Sequence, residues 1–214
     1  MKKKIFLSFV LLMTIVSVGL CSCNGCKKSE KQDTQPVSLY HDYDGVVQDF
    51  TAGTAHIQAL HRQQMSQLVE GGKYQWRNSR VVFNDAVTME NIDDLHVTDI
   101  NDVFCYWNKQ GPWVQYINSN VKEGLQIPWP INDVWIEDAN LSDKPVKLSA
   151  EQALQRLKEW NGVLPKDCNF ITLRLPVGPN GCNPQWVFGD AYNVLFIDAV
   201  TGEVKDSNPA FDKP

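Results

Sequence analysis

The sequence predicts an α+β fold in which antiparallel sheets are each packed by a helix. Three observations lead there. Two segments carry apolar residues at helical spacing and end at asparagine or glycine stop signals. Short runs rich in aromatic and β-branched residues follow each of them. Glycine, proline and asparagine separate those runs where turns are needed. The chain has 214 residues, 43% hydrophobic and 21% charged, which suits one compact domain or two small ones.

The first helix is predicted over residues 50–69. Asp49 or Thr51 can cap it, and Gly71-Gly72 stops it. Ile57, Leu60, His61, Met65 and Leu68 form its apolar stripe. The pattern then turns β-like. Ser79–Phe83 reads as one strand. Asp102–Trp107 and Trp113–Ile117 flank Asn108-Lys109-Gln110-Gly111-Pro112 and read as a hairpin. Asp133–Glu137 reads as another strand. Pro128 and Pro130 hold Trp129 in an extended loop.

Asn140–Pro145 is a polar break and the expected boundary between an N-terminal α+β region (40–145) and a C-terminal domain (146–214). Ser149 opens the clearest helix. Its hydroxyl can cap the third helical amide while Gln152 reaches back, a capping box. Ala150, Ala153, Leu154, Leu157 and Trp160 form the stripe, and Asn161-Gly162 ends it. Strands are expected at Phe170–Leu175, Gln185–Phe188 and Val194–Ala199. A last turn, Thr201-Gly202-Glu203, precedes Val204.

Residues 1–22 read as an address. Lys2, Lys3 and Lys4 precede an apolar run from Ile5 to Leu20, the pattern of a secretory signal. The run Leu20-Cys21-Ser22-Cys23 resembles the lipobox of bacterial lipoproteins. Leu20, Ser22 and Cys23 fill its apolar, small and lipid-accepting positions. That resemblance implies lipidation at Cys23, with palmitate among the acyl chains expected. Asn24 in the next position leans towards the outer membrane. Residues 23–39 are polar and read as a flexible tether. The expected location is therefore the cell envelope, with the membrane reached through the N-terminal lipid on the periplasmic or surface side.

Removing the signal and tether changes the charge. The precursor is at −5, whereas the body from Tyr40 has 14 basic and 23 acidic side chains, a net −9. A nucleic-acid binder needs the opposite sign to neutralise phosphates, so no nucleic-acid partner is expected.

The C-terminal segment resembles a PepSY-type domain. Its helix begins Leu148-Ser149-Ala150-Glu151-Gln152-Ala153-Leu154, and its last strand reads Phe196-Ile197-Asp198-Ala199-Val200-Thr201-Gly202-Glu203-Val204. The resemblance covers residues 147–206 and implies a non-catalytic module that binds a protein or peptide, or inhibits a peptidase. Asp198, Thr201, Gly202 and Glu203 suit a turn better than a reaction. The first half repeats the plan of a helix followed by strands. Two tandem PepSY-like units compete with one continuous antiparallel sheet carrying both helices on one face.

Catalytic and metal motifs are missing. His56 and His61 lie about 140° apart on a helix and do not converge on one metal. There is no HExxH, paired CxxC, GxSxG or phosphate loop. His41-Asp42-Tyr43-Asp44 reads as a solvated turn. No cofactor is expected and no enzyme activity is announced. Cys105 falls in a strand as a buried thiol, while Cys168 and Cys182 are candidates for a disulfide. Of seven tryptophans, Trp129 between two prolines is the expected exposed anchor for a partner. A surface glycan-binding lipoprotein using exposed tryptophans is the alternative reading.

Overall fold

The computed structural model describes residues 53–69, 71, 73–108, 111–121, 124–125, 129–131, 138–190 and 193–212, all within one compact unit, Ser38–Pro214. Cys23, the tether, the His41–Asp44 cluster and the strand expected at Asp133–Glu137 lie outside the described residues.

The elements run α1 (Thr54–Leu68), β1 (Gln75–Phe83), β2 (Val97–Asn108), β3 (Gly111–Asn120), β4 (Gly124–Leu125), β5 (Trp129–Ile131), α2 (Ala150–Trp160), β6 (Phe170–Arg174), β7 (Gln185–Gly189), β8 (Val194–Asp198) and β9 (Val204–Lys205). All nine strands join one sheet of order β4-β3-β2-β1-β6-β7-β8-β9, with β5 also on β3. Every pairing is antiparallel. The order is symmetric about the β1–β6 pair: each half runs outward as first, second, third and fourth strand after its own helix.

The β1–β6 pair sets Val81 opposite Ile171 and Arg80 opposite Thr172. It carries one sheet across the polar break at 140–145. Leu141 in that break is buried, and its amide donates to the Trp76 carbonyl. One buried leucine and one backbone bond make the break part of the wall.

Successive strand residues alternate between faces. Ile100, Phe104, Val81, Ile171, Leu173, Trp186, Phe188, Leu195 and Ile197 share one face and one core with both helices. From α1 the core takes Ile57, Leu60 and Met65, as the stripe predicts; Leu68 is 50% exposed because the helix ends there. The helix starts from Gly53, whose φ of +84° an L side chain would resist. The capping box of α2 is present in both directions, and Asn161 closes the helix in the left-handed conformation. Ala150, Ala153, Leu154 and Leu157 are buried. Trp160, expected in that stripe, is 38% exposed, its ring lying against Gly162, where a Cβ would fall 2.0 Å from it.

The turn between β8 and β9 explains its sequence. Asp198 Oδ1 accepts from the amides of Val200 (2.8 Å) and Thr201 (2.9 Å), and the Thr201 hydroxyl accepts from the Glu203 amide. Gly202 sits at φ +80° against the Arg156 side chain. These residues build a turn, as the motif suggests.

Candidate binding face and the buried histidine network

α1 is tied to the sheet by polar groups inside the core. His61 Nδ1 lies 2.5 Å from Asp102 Oδ2, and its Nε2 lies 2.7 Å from Ser119 Oγ. A β-bulge at Arg77 turns Trp76 so that its Nε1–H donates to Asp102 Oδ1 at 2.9 Å. Gln58 Nε2 donates to Ser79 Oγ one turn earlier. His61, Asp102 and Ser119 are all 0% exposed.

The connectivity is that of a serine–histidine–carboxylate triad. Here every polar atom of His61 is used inside the protein, and a carbonyl substrate has no approach to the buried Ser119 hydroxyl. What the arrangement does is fix helix to sheet: buried polar groups that are satisfied specify one packing of the core. Sequence spacing hides it, because three strands and a helix bring the members together.

The two helices also touch. Thr54, at the start of α1, donates its backbone N–H to Glu151 Oε1 (3.0 Å) and its hydroxyl to Glu151 Oε2 (2.9 Å). The Ala150 amide donates to the same hydroxyl at 3.2 Å. Beside this junction lies a groove of about 820 Å³, lined in part by Phe83, Leu95, Val121 and Leu154.

The opposite face of the sheet carries no described helix. One cross-strand row runs over it through Asn118, Asn101, Arg80, Thr172, Val187, Phe196 and Lys205. Arg80 is exposed, its guanidinium carbon 3.7 Å from the centre of the Phe170 ring. Phe170, Val187, Val194 and Phe196 are half-buried and line a groove of about 360 Å³ with Thr172 and Arg174. Towards the β3 side the same face holds Val103, Cys105 and Val114, which are buried together. Burial pushes the Cys105 thiol up, against the pull of Arg77. Asp138, also buried, is paired with Arg174 Nε at 2.5 Å and accepts from Asn78.

The expected sites fall as follows. Trp129 sits in β5 opposite Tyr116; its ring lies outside what is described. Among the described tryptophans Trp76 and Trp186 are core, and Trp107 is the most exposed at 56%. The candidate Cys168–Cys182 bridge is not formed: both are free thiols. Cys168 precedes β6, while Cys182 leads into β7, which begins opposite Arg174 at the far end of β6. The strand between spans about 16 Å, and a disulfide needs Cα atoms about 4.4–6.8 Å apart.

Among the described residues no group of three or more His, Cys, Asp or Glu is placed to hold a metal ion, and no helix is long and apolar enough to cross a membrane. No protein family, curated protein or solved structure matches the chain.

Proposed function

We propose that this is a lipid-anchored cell-envelope protein whose body is a non-catalytic binding module, two PepSY-like α+β halves joined in one continuous sheet, and that it engages a protein or peptide partner through the sheet face opposite the two helices. The observation that carries the reading is the row from Asn118 to Lys205. An antiparallel sheet with one packed face shows a polar outer face when only water meets it. This one instead holds the half-buried Phe170, Val187, Val194 and Phe196 beside polar side chains, the mixture of apolar and polar contact that protein interfaces use.

The tandem reading is supported by the symmetric strand order and by helices that each precede their own run of strands. The lipid anchor rests on the Leu20–Cys23 motif and the polar tether after it. Peptidase inhibition is the form of binding that the PepSY resemblance suggests.

The mature chain, immobilised, is expected to capture a partner from detergent-solubilised envelope. Phe196→Asp should abolish that capture, and Glu159→Ala on the exposed side of α2 should leave it intact. Capture of nothing, together with saturable binding on a glycan array, would replace this reading with the glycan-binding one, which the 56% exposed Trp107 favours. Palmitate labelling that persists in Cys23→Ser would remove the anchor from Cys23.

A further inference from the structure

The centre of the sheet face opposite the two helices has the composition of an anion receptor. Arg80 stands on β1, one of the two strands about which the sheet is symmetric. Its guanidinium lies over the Phe170 ring. Stacking of this kind fixes the plane of the fork and reduces the side-chain freedom lost when a ligand arrives. Among the described residues Arg80 enters no ion pair, although Asp99 shares its face two positions from Asn101.

Its cross-strand neighbours are Asn101 on one side and Thr172 on the other. The Asn101 amide is oriented by its surroundings. Its Oδ1 accepts from Asn118 Nδ2 at 2.6 Å and from the Tyr116 hydroxyl. With the oxygen occupied twice, Nδ2 is left as a donor. Thr172 is half-buried beside Arg80 in the same row. Three donor groups on adjacent strands thus lie side by side, about 4.8 Å between strands.

We infer that Arg80, Asn101 and Thr172 form a receptor for a carboxylate, supplied by an acidic side chain of the protein partner. The inference rests on the partner-binding reading above and adds the chemistry of the contact. A planar carboxylate matches the guanidinium fork through two parallel N–H···O bonds. The body around it is acidic, net −9. Long-range attraction of an acidic partner is therefore absent, and screening confines the body's field to about 8–10 Å at ordinary salt. The receptor then acts by local geometry and sets register on the face. The half-buried Phe196 and Val187 in the same row supply apolar contact next to it.

The test follows the side-chain NMR signals of Arg80 Nε–H and Asn101 Nδ2–H₂ in the mature chain. N-acetylglutamate N-methylamide, the matching glutamine compound and sodium sulfate are titrated in turn. The glutamate compound is expected to shift both signals saturably, and the glutamine compound to leave them in place. Arg80→Gln should abolish the response of Asn101, and Thr172→Val should weaken glutamate binding about threefold. An equal response to glutamine, or no response to either, overturns the receptor. Tighter binding of sulfate overturns the assignment to a carboxylate. If wild-type capture of a partner is sensitive to Phe196→Asp while glutamate shifts nothing, only the receptor fails. If glutamate binds but no protein is captured, only the partner reading fails.

Discussion

Glu151 holds the N-terminus of α1 through Thr54, a residue 97 positions away. The carboxylate takes the Thr54 amide and hydroxyl at 3.0 and 2.9 Å, and the hydroxyl in turn takes the Ala150 amide at 3.2 Å. Gly53, the N-cap residue of α1, has no side chain to offer. The first turn of one helix thus supplies the cap that the other lacks, and a carboxylate there also meets the positive end of the α1 dipole. Removing this group should be felt as loss of a cap. Glu151→Ala is expected to lower stability by about 1–2 kcal/mol in urea unfolding, and Glu151→Gln by less. An unchanged midpoint for Glu151→Ala would show that the contact contributes nothing.

The buried pair of His61 and Asp102 should be costly to break from either side. His61→Ala leaves Asp102 in the core with the Trp76 indole as its remaining side-chain donor. A buried polar group left without a partner costs about 1–3 kcal/mol. Asp102→Asn keeps the shape and a hydrogen-bonding group, so its loss should be smaller. Equilibrium denaturation of the two variants gives the ordering, and equal, small losses would contradict it.

Asp198 links the terminal turn to pH. Burial pushes its carboxyl up, but the Thr201 amide, the Asn183 side chain and the Val200 amide outweigh that and hold it below the usual carboxylate range. A lowered pKa in the folded state means stability that is complete above the unfolded value of about 3.9. It is lost as pH falls through the folded value. Asp198→Asn should flatten that acid limb of the stability curve, and an NMR titration of the carboxyl carbon should give a midpoint below about 3.9. A midpoint at or above that value would remove the linkage.

Two glycines with positive φ should tolerate alanine differently. Gly202 has φ +80°, and a Cβ there meets Arg156 Nε at 2.7 Å, on a side chain that can move. Gly189 has φ +124°, and a Cβ there falls 2.0 Å from the Asn193 carbonyl oxygen, which cannot move without opening the β7–β8 turn. Gly202→Ala should cost about 1–2 kcal/mol from backbone strain, and Gly189→Ala clearly more. Thermal unfolding of both variants decides, and the reverse order would refute the steric argument.

The thiols should report burial in sequence. Cys182 is half-exposed, whereas Cys105 and Cys168 are buried. Burial, and then Asp198, push the Cys182 thiol up, so its reaction with iodoacetamide should be slow at neutral pH and faster in alkali. Peptide mapping of the native protein is expected to show Cys182 alkylated before Cys105 and Cys168, which follow only on unfolding. A product whose Cys168 and Cys182 stay protected until a reductant is added would restore the bridge.

How much of this was legible beforehand varies with the range of the interaction. The capping box at Ser149 and Gln152, the asparagine stop at 161 and the Asp198–Glu203 turn are written within a few residues, and each is present where the sequence puts it. The hairpin around 109–110 is likewise local, with Asn108 opposite Gly111. The polar stretch 140–145 reads the same in sequence whether it links two bodies or lines one.

The sequence by itself determined the helices, most of the strands, the turn chemistry and the acidic charge of the body. These depend on periodicity, on backbone preferences and on counting. Only the tertiary structure decided that β1 and β6 join the halves into one sheet, that His61 finds Asp102 and Ser119 in the core, and that Arg80 stands beside Asn101 and Thr172 outside it. The physical reason is register. A strand's alternation says which residues share a face, but which neighbour each one meets is fixed by pairing with chain tens of residues away, and a slip of one position would turn that strand's side chains to the other face.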